Sequence, residues 1–229
     1  MAYEEKAYFT MAWKLLRNAI KPLPNLAPHP VMQRPGSDEQ VWQAGGDGEK
    51  NVQSFLQVNL DDSWVLLSGY RTRKGEIDQV LIGPPGVFAF EVKHLNGIVS
   101  CHHDYWTRSK RDRNGYIVER DKVIEDKKGR SPSQQINDAA DALQGMLDRK
   151  FGKGRVKRAV ILSHPSARLG KIDALTVDFL GCLSDSTLIG FLGHDKRVTP
   201  EGVEEIVGAI RDDHMARQSN RTQNAERAI

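Results

Sequence analysis

Residues 75–97 read GEIDQVLIGPPGVFAFEVKHLNG. Two apolar runs, Glu76 to Gly83 and Gly86 to Lys93, flank Pro84-Pro85, and Gly86 supplies the permissive backbone of a turn. The spacing predicts a pair of strands. Side chains alternate along a strand, so Phe88, Phe90 and Val92 share one face while Val87, Ala89, Glu91 and Lys93 share the other. Glu91 and Lys93 therefore point the same way at the end of an otherwise apolar strand. If the two strands are hairpin partners, Asp78 reaches the same cleft. Burying an unpaired carboxylate costs on the order of several kcal/mol. These charges must be paired, solvated in a cleft, or holding a cation.

Two readings of the charges stand side by side. One is a salt-bridge network of Asp78, Glu91 and Lys93 on a solvated sheet face. The other is a metal site: two carboxylates and a backbone carbonyl are hard oxygen ligands suited to Mg²⁺ or Mn²⁺. Such an ion lowers the pKa of a bound water and neutralises charge building on a phosphate. A neighbouring lysine orients or deprotonates that water, or stabilises the transition state. That set suits phosphodiester hydrolysis.

Outward from this stretch, Gly45, Gly46 and Gly48 introduce a helix with Asp47 as its N-cap and Val52, Phe55, Leu56, Asn59 and Leu60 along its buried face. Trp64 to Tyr70 is an apolar run, followed by a basic turn from Arg71 to Gly75. Gly97–Cys101 and Tyr105–Lys110 continue the meander, and Tyr116–Glu119 adds a short edge strand. Ser131-Pro132 starts a helix whose stripe is Ile136, Ala139, Ala140, Leu143, Met146 and Leu147. Val156–Leu162 reads as a buried parallel strand, since a helix precedes it. Leu175–Leu183 reads as another strand. Thr199-Pro200 opens a final helix with Val203, Ile206, Val207 and Ile210 on one face, and from Arg211 the polar tail is expected to fray.

Before all of this, Pro22, Pro24, Pro28, Pro30 and Pro35 exclude regular helix or central strand and mark an extended arm. Tyr8–Leu16 suits a short amphipathic helix packing on the domain, a protein partner or a second copy. Lys14 interrupts it and no small-residue cleavage site follows, so it lacks the layout of a signal peptide or membrane span. The expected organisation is an N-terminal helix and arm over 1–45, a main domain over 46–210 and a polar tail over 211–229. The 229 residues, 39% hydrophobic and 28% charged, suit one well-cored globular domain with extensions. Net charge is +3, so any basic partner surface is local. Two distant cysteines, Cys101 and Cys182, suggest no disulfide framework and fit a reducing cytoplasm.

Gly48-Glu49, Gly75-Glu-Ile-Asp78, Gly86-Val-Phe, Glu91-Val-Lys93, Gly97 and Pro132-x-x-Gln135 occur in the order seen in the NERD (nuclease-related) domain. The chain resembles that family from about Asp47 to Leu162, and through it the PD-(D/E)xK restriction-endonuclease-like superfamily. The resemblance implies an α/β, restriction-endonuclease-like core, a mixed central β-sheet flanked by helices, and a metal-dependent nuclease. It assigns Asp78 and Glu91 to the metal-binding acids and Lys93 to the catalytic lysine. Glu49 matches an acid that helps complete such sites, although a first-turn acid is also favoured by the helix dipole. Gln135 matches a glutamine that positions the lysine, water or a phosphate, although it also suits an exposed helix position. The arm and the N-terminal helix fall outside the resemblance.

Arg71, Arg73 and Lys74 form one basic turn; Arg108, Lys110, Arg111 and Arg113 form another beside Tyr105 and Trp106. Cations with nearby aromatics suit phosphate contact and base stacking, so DNA is the expected partner; hairpin tips are also charged simply for solubility. Cys101, His102, His103 and His94 lack a second ligand pair at zinc-site spacing, and His164-Pro165 reads as a structural strand end. Gly45-Gly46-Asp47-Gly48-Glu49-Lys50 lacks the ending of a P-loop. The rival to a DNA-cleaving enzyme is a non-catalytic nucleic-acid-binding or assembly module on the same fold.

Overall fold

The computed structural model describes residues 38–152, 154–185 and 187–226. The expected helix over Tyr8–Leu16 and the proline-rich arm lie outside them. Thirteen elements follow: α1 (Asp38–Asn59), β1 (Val65–Arg71), β2 (Glu76–Gly83), β3 (Gly86–Lys93), β4 (Gly97–His102), β5 (Tyr105–Arg111), β6 (Ile117–Val123), α2 (Pro132–Phe151), β7 (Val156–Leu162), β8 (Ala167–Asp173), β9 (Phe179–Cys182), α3 (Thr187–Leu192) and α4 (Pro200–Glu226).

β2 and β3 form the expected hairpin, with Gly83 opposite Gly86 at the turn. β1 joins β2 antiparallel, and β7 joins β3 parallel, within a mixed five-stranded sheet in the order β1-β2-β3-β7-β9. Both faces of its centre are covered, which explains the near-continuous apolar runs of β2, β3 and β7. On one face Val52 and Leu56 of α1 pack with Leu188 and Leu192 of α3 against Phe88, Phe90 and Ile161. On the other, α2 and α4 pack against Val80, Ala89 and Val160. The architecture is a mixed α/β fold consistent with a restriction-endonuclease-like core.

α2 begins as its sequence predicts. Ser131 accepts the Gln134 N–H while Gln134 reaches back to the Ser131 N–H, a reciprocal capping box, with Pro132 in the first turn.

Several expectations change. α1 already includes Asp38, so Asp47 lies inside the helix and is not its N-cap. β4 and β5 do not extend the first sheet; they build a second one, ordered β6-β5-β4-β8, because the position beside β3 is taken by β7. β8 is silent in the sequence: ARLGKID is solvated along almost its whole length and shows no apolar alternation. The strand expected over Leu175–Leu183 is only the short β9. α4 runs on to Glu226 rather than fraying from Arg211, held where Tyr70 Oη donates to Asp213 at 2.7 Å and His214 is buried.

Candidate active site

The register that pairs Gln79 with Phe90 brings Asp78 opposite Glu91, just past the last paired residues of β2 and β3. Where that ladder opens, the Val92 N–H donates to Asp78 Oδ2 at 2.7 Å. Glu91 is buried, and Lys93, two residues on, reaches back to its Oε1 at 2.5 Å. Lys93 Nζ also donates to Gln135 Oε1 at 3.2 Å, and Gln135 Nε2 donates to the Arg130 carbonyl at 2.9 Å. The start of α2 thus fixes the residue that holds the lysine from above the sheet.

Electrostatics separate this cluster from an ordinary surface network. Burial and then the Glu91 charge push Asp78 well above the carboxylate range, against the pull of the Val92 N–H and Lys93. Burial also raises Glu91, with Lys93 opposing. For Lys93 burial works against the charge, yet Glu91 and Asp78 more than offset it and its pKa rises. Glu49, on α1, is pushed up to about 7 by burial and by Glu76 and Glu91. The Glu91 charge thus opposes ionisation of both Asp78 and Glu49, while Lys93 favours the charged forms of Asp78 and Glu91.

Sequence reasoning missed two contributors. Arg130, bound to Asp126 at 2.8 Å, lowers the cost of charge on Glu91. It lies in a loop with no strand or helix period to flag it. Gln79 is fully buried, donates to the Glu49 carbonyl at 2.8 Å, and leaves its Oε1 unpartnered among the described residues. A polar residue inside an apolar strand was the available signal.

The donor chemistry fits a hard divalent cation. Two carboxylates whose ionised forms are disfavoured by burial and mutual repulsion gain most from positive charge. Asp78 and Glu91 would hold such an ion, with Glu49 the third acid. Among the described residues, no three side chains form a ready-made ligand cluster.

The basic residues do not behave as one set. Trp106 is buried, and its Nε1 donates to Ser133 Oγ at 3.0 Å, so the stacking role expected of it is corrected: its indole joins the core. Arg108 is engaged by Glu119 at 2.7 Å and Arg71 by Glu76 at 2.8 Å. Lys74 lies 3.8 Å from Asp141, and Arg111 donates to the Gly115 carbonyl. Arg73 is exposed, and Lys110 is partly so.

The family model described as "Nuclease-related domain" matches residues 44–163, spanning most of α1 to the end of β7 and every member of the acid–lysine cluster. The chain belongs to the nuclease-related domain family. No curated protein and no solved structure gives a match. Among the described residues, no helix is long and apolar enough to cross a membrane.

Proposed function

We propose that this nuclease-related domain hydrolyses phosphodiester bonds in DNA with Mg²⁺ or Mn²⁺. The observation that carries the reading is the meeting of Asp78, Glu91 and Lys93 on one sheet face beneath Gln135. A module that only bound nucleic acid would gain nothing from gathering two carboxylates where phosphates approach.

Each side chain has a distinct task. Asp78 and Glu91, with Glu49, are the ligand set. When bound, the metal supplies an activated water and offsets charge on the phosphate. Lys93 keeps its proton, because Glu91 and Asp78 favour its charged form. It therefore acts as a fixed cation that orients the attacking water and stabilises the pentacovalent phosphate. Gln135 holds the Lys93 ammonium in register and lends it an acceptor that cannot ionise. Arg73, Lys74, Lys110 and Arg111 supply phosphate contacts along the approach.

The test pairs gel-shift and cleavage assays on linear, circular and single-stranded DNA, with and without Mn²⁺. Wild type is expected to cut. Lys93→Ala should lose about a hundredfold in rate or more while binding DNA nearly as well. A wild type that binds DNA but cuts none of these substrates would replace the enzyme with the binding module. Equal cutting by both proteins would remove Lys93 from the mechanism.

A further inference from the structure

β3 and β7 lie side by side in parallel, and both hand the chain to the second sheet at the same edge. Lys93 leads through His94 to β4, and Leu162 leads through Ser163 and His164 to β8. The two links are tied together, because the Ser163 N–H donates to the Lys93 carbonyl at 3.1 Å. This brings the His94 and His164 rings to a centroid separation of 4.8 Å.

Each ring is tethered through Nδ1. His94 meets Ser163 Oγ at 3.1 Å, and His164 meets Ser166 Oγ at 2.8 Å and the Ser166 backbone N–H at 3.1 Å. A backbone amide can only donate, so His164 Nδ1 accepts and the ring proton sits on Nε2. Among the described residues, neither Nε2 has a hydrogen-bond partner. Both rings are partly exposed. Burial, His94 and Lys110 together hold His164 below the ordinary imidazole range. The Lys110 stem lies over Gly97, where a Cβ would stand 3.0 Å from Lys110 Cγ, and Gly97 pairs with Ala167, whose N–H donates to the His164 carbonyl. Lys110 forms no ion pair among the described residues.

Packing alone does not call for this arrangement. An aliphatic side chain would fill the seam without tethers that hold Nδ1 of each ring and leave Nε2 without a partner among the described residues. A transition metal would need a third ligand, and none stands with the two imidazoles among the described residues.

We propose that His94, His164 and Lys110 form a contact site for a phosphodiester neighbouring the scissile one, at the seam between the two sheets. Because this requires a nucleic-acid strand in the cleft, it rests on the nucleic-acid reading of the acid–lysine cluster. One fixed positive charge, the His164 Nε2–H donor and a second imidazole suit the single charge of a phosphodiester better than the double charge of a terminal phosphate. His94 follows Lys93 directly in the chain, and its Cβ lies against Gly48, the residue before Glu49. The pair therefore borders the acid–lysine cluster, and the phosphate it serves neighbours the scissile one.

The test measures binding in chelator, where cleavage does not interfere, using fluorescently labelled oligonucleotides with single neutral methylphosphonates placed along the strand. Wild type should lose affinity at one internal position. His94→Leu/His164→Leu should bind the unmodified strand about tenfold more weakly and be insensitive to the methylphosphonate there. Lys110→Met should lower the salt slope by about one. His164→Gln, which retains an N–H donor at similar reach, should recover most of the loss of His164→Leu. Unchanged affinity and an unchanged methylphosphonate profile in the double variant would overturn the site, whatever the cleavage result. Equal losses in His164→Gln and His164→Leu with lowered melting temperatures would also overturn it, in favour of packing. Loss only when a 5′-terminal phosphate is removed would overturn the internal phosphodiester. A wild type that binds with this profile yet never cuts would sink the nuclease reading and leave the contact site standing.

Discussion

Glu91 shows how a single buried charge is tolerated and used. It is 4% exposed, and its nearest compensation is Lys93 at 2.5 Å. Removing one partner of a buried pair commonly costs about 3–5 kcal/mol. Glu91 limits that cost by taking up a proton, which its raised pKa already favours. Lys93→Ala should therefore be clearly less stable than wild type at pH 8 in chelator, with the gap narrowing toward pH 5. Urea unfolding at both pH values checks this, and an equal gap would show the two groups uncoupled. Asp78→Asn runs the other way. Its amide oxygen can still accept the Val92 N–H, while the repulsion with Glu91 disappears. Its melting temperature in chelator should hold or rise, and any Mn²⁺-induced shift should vanish. Glu49 makes a pH prediction with a definite sign. Its folded pKa of about 7 lies above the ordinary 4.5. The native state thus binds that proton more tightly, and its contribution is complete below pH 4.5 and lost as pH rises through 7. Glu49→Gln should match wild type at pH 4 and exceed it by about 1–2 kcal/mol at pH 8, allowing for solvent screening.

The elements carrying the site are the legible ones, and the reason is burial. β2, β3 and β7 lie between helical layers, so their apolar runs and the charges interrupting them stand out in the chain. Ser131-Pro132 marks α2 through capping chemistry that is local and needs no knowledge of packing. The start of α1 is not legible, because its glycines suggest a helix boundary although they lie within the helix. Gly48 shows why one of them is there: a Cβ at that position would stand 2.7 Å from Ser163 Oγ and 2.9 Å from His94 Cβ. The helix lies so close to the seam that a side chain does not fit. At Gly46, two residues earlier and exposed, a Cβ would meet nothing within 4 Å. Alanine is favoured over glycine in a helix by about 0.5–1 kcal/mol. Gly46→Ala should therefore stabilise by roughly that amount, while Gly48→Ala should destabilise by about 1–3 kcal/mol through overpacking. Denaturant midpoints of the two variants, measured side by side, decide it. A stabilising Gly48→Ala would mean that α1 and His94 do not meet closely.

At the scale of the whole molecule, what escapes sequence reading is where long-range partners meet. Nothing in the run from Gly97 announces a second sheet, because its strands alternate much as a meander would; only the parallel pairing of β4 with β8 defines it. The end of α4 escapes for the opposite reason. Its apolar stripe stops at Ile210, and beyond that point polar groups hold it: Arg217 Nε donates to Asp213 Oδ2 at 2.6 Å, and Asp213 accepts the Tyr70 hydroxyl. Such contacts leave no hydrophobic period. Tyr70 is only 1% exposed, and its ring lies 6.2 Å from that of His214. This extension closes the β1 edge of the sheet that carries Asp78 one strand further in. Truncation after Arg211 should therefore uncover Tyr70, and uncovering a large side chain costs about 1.5–3 kcal/mol. Tyr70→Phe in the full chain should cost only about 1 kcal/mol, the ordinary net worth of one hydrogen bond. If the helix end acts as a cover, truncation should exceed Tyr70→Phe in urea unfolding, and combining the two changes should add little to truncation alone. Should truncation leave stability at the wild-type value, the segment beyond Arg211 would have no part in holding the fold.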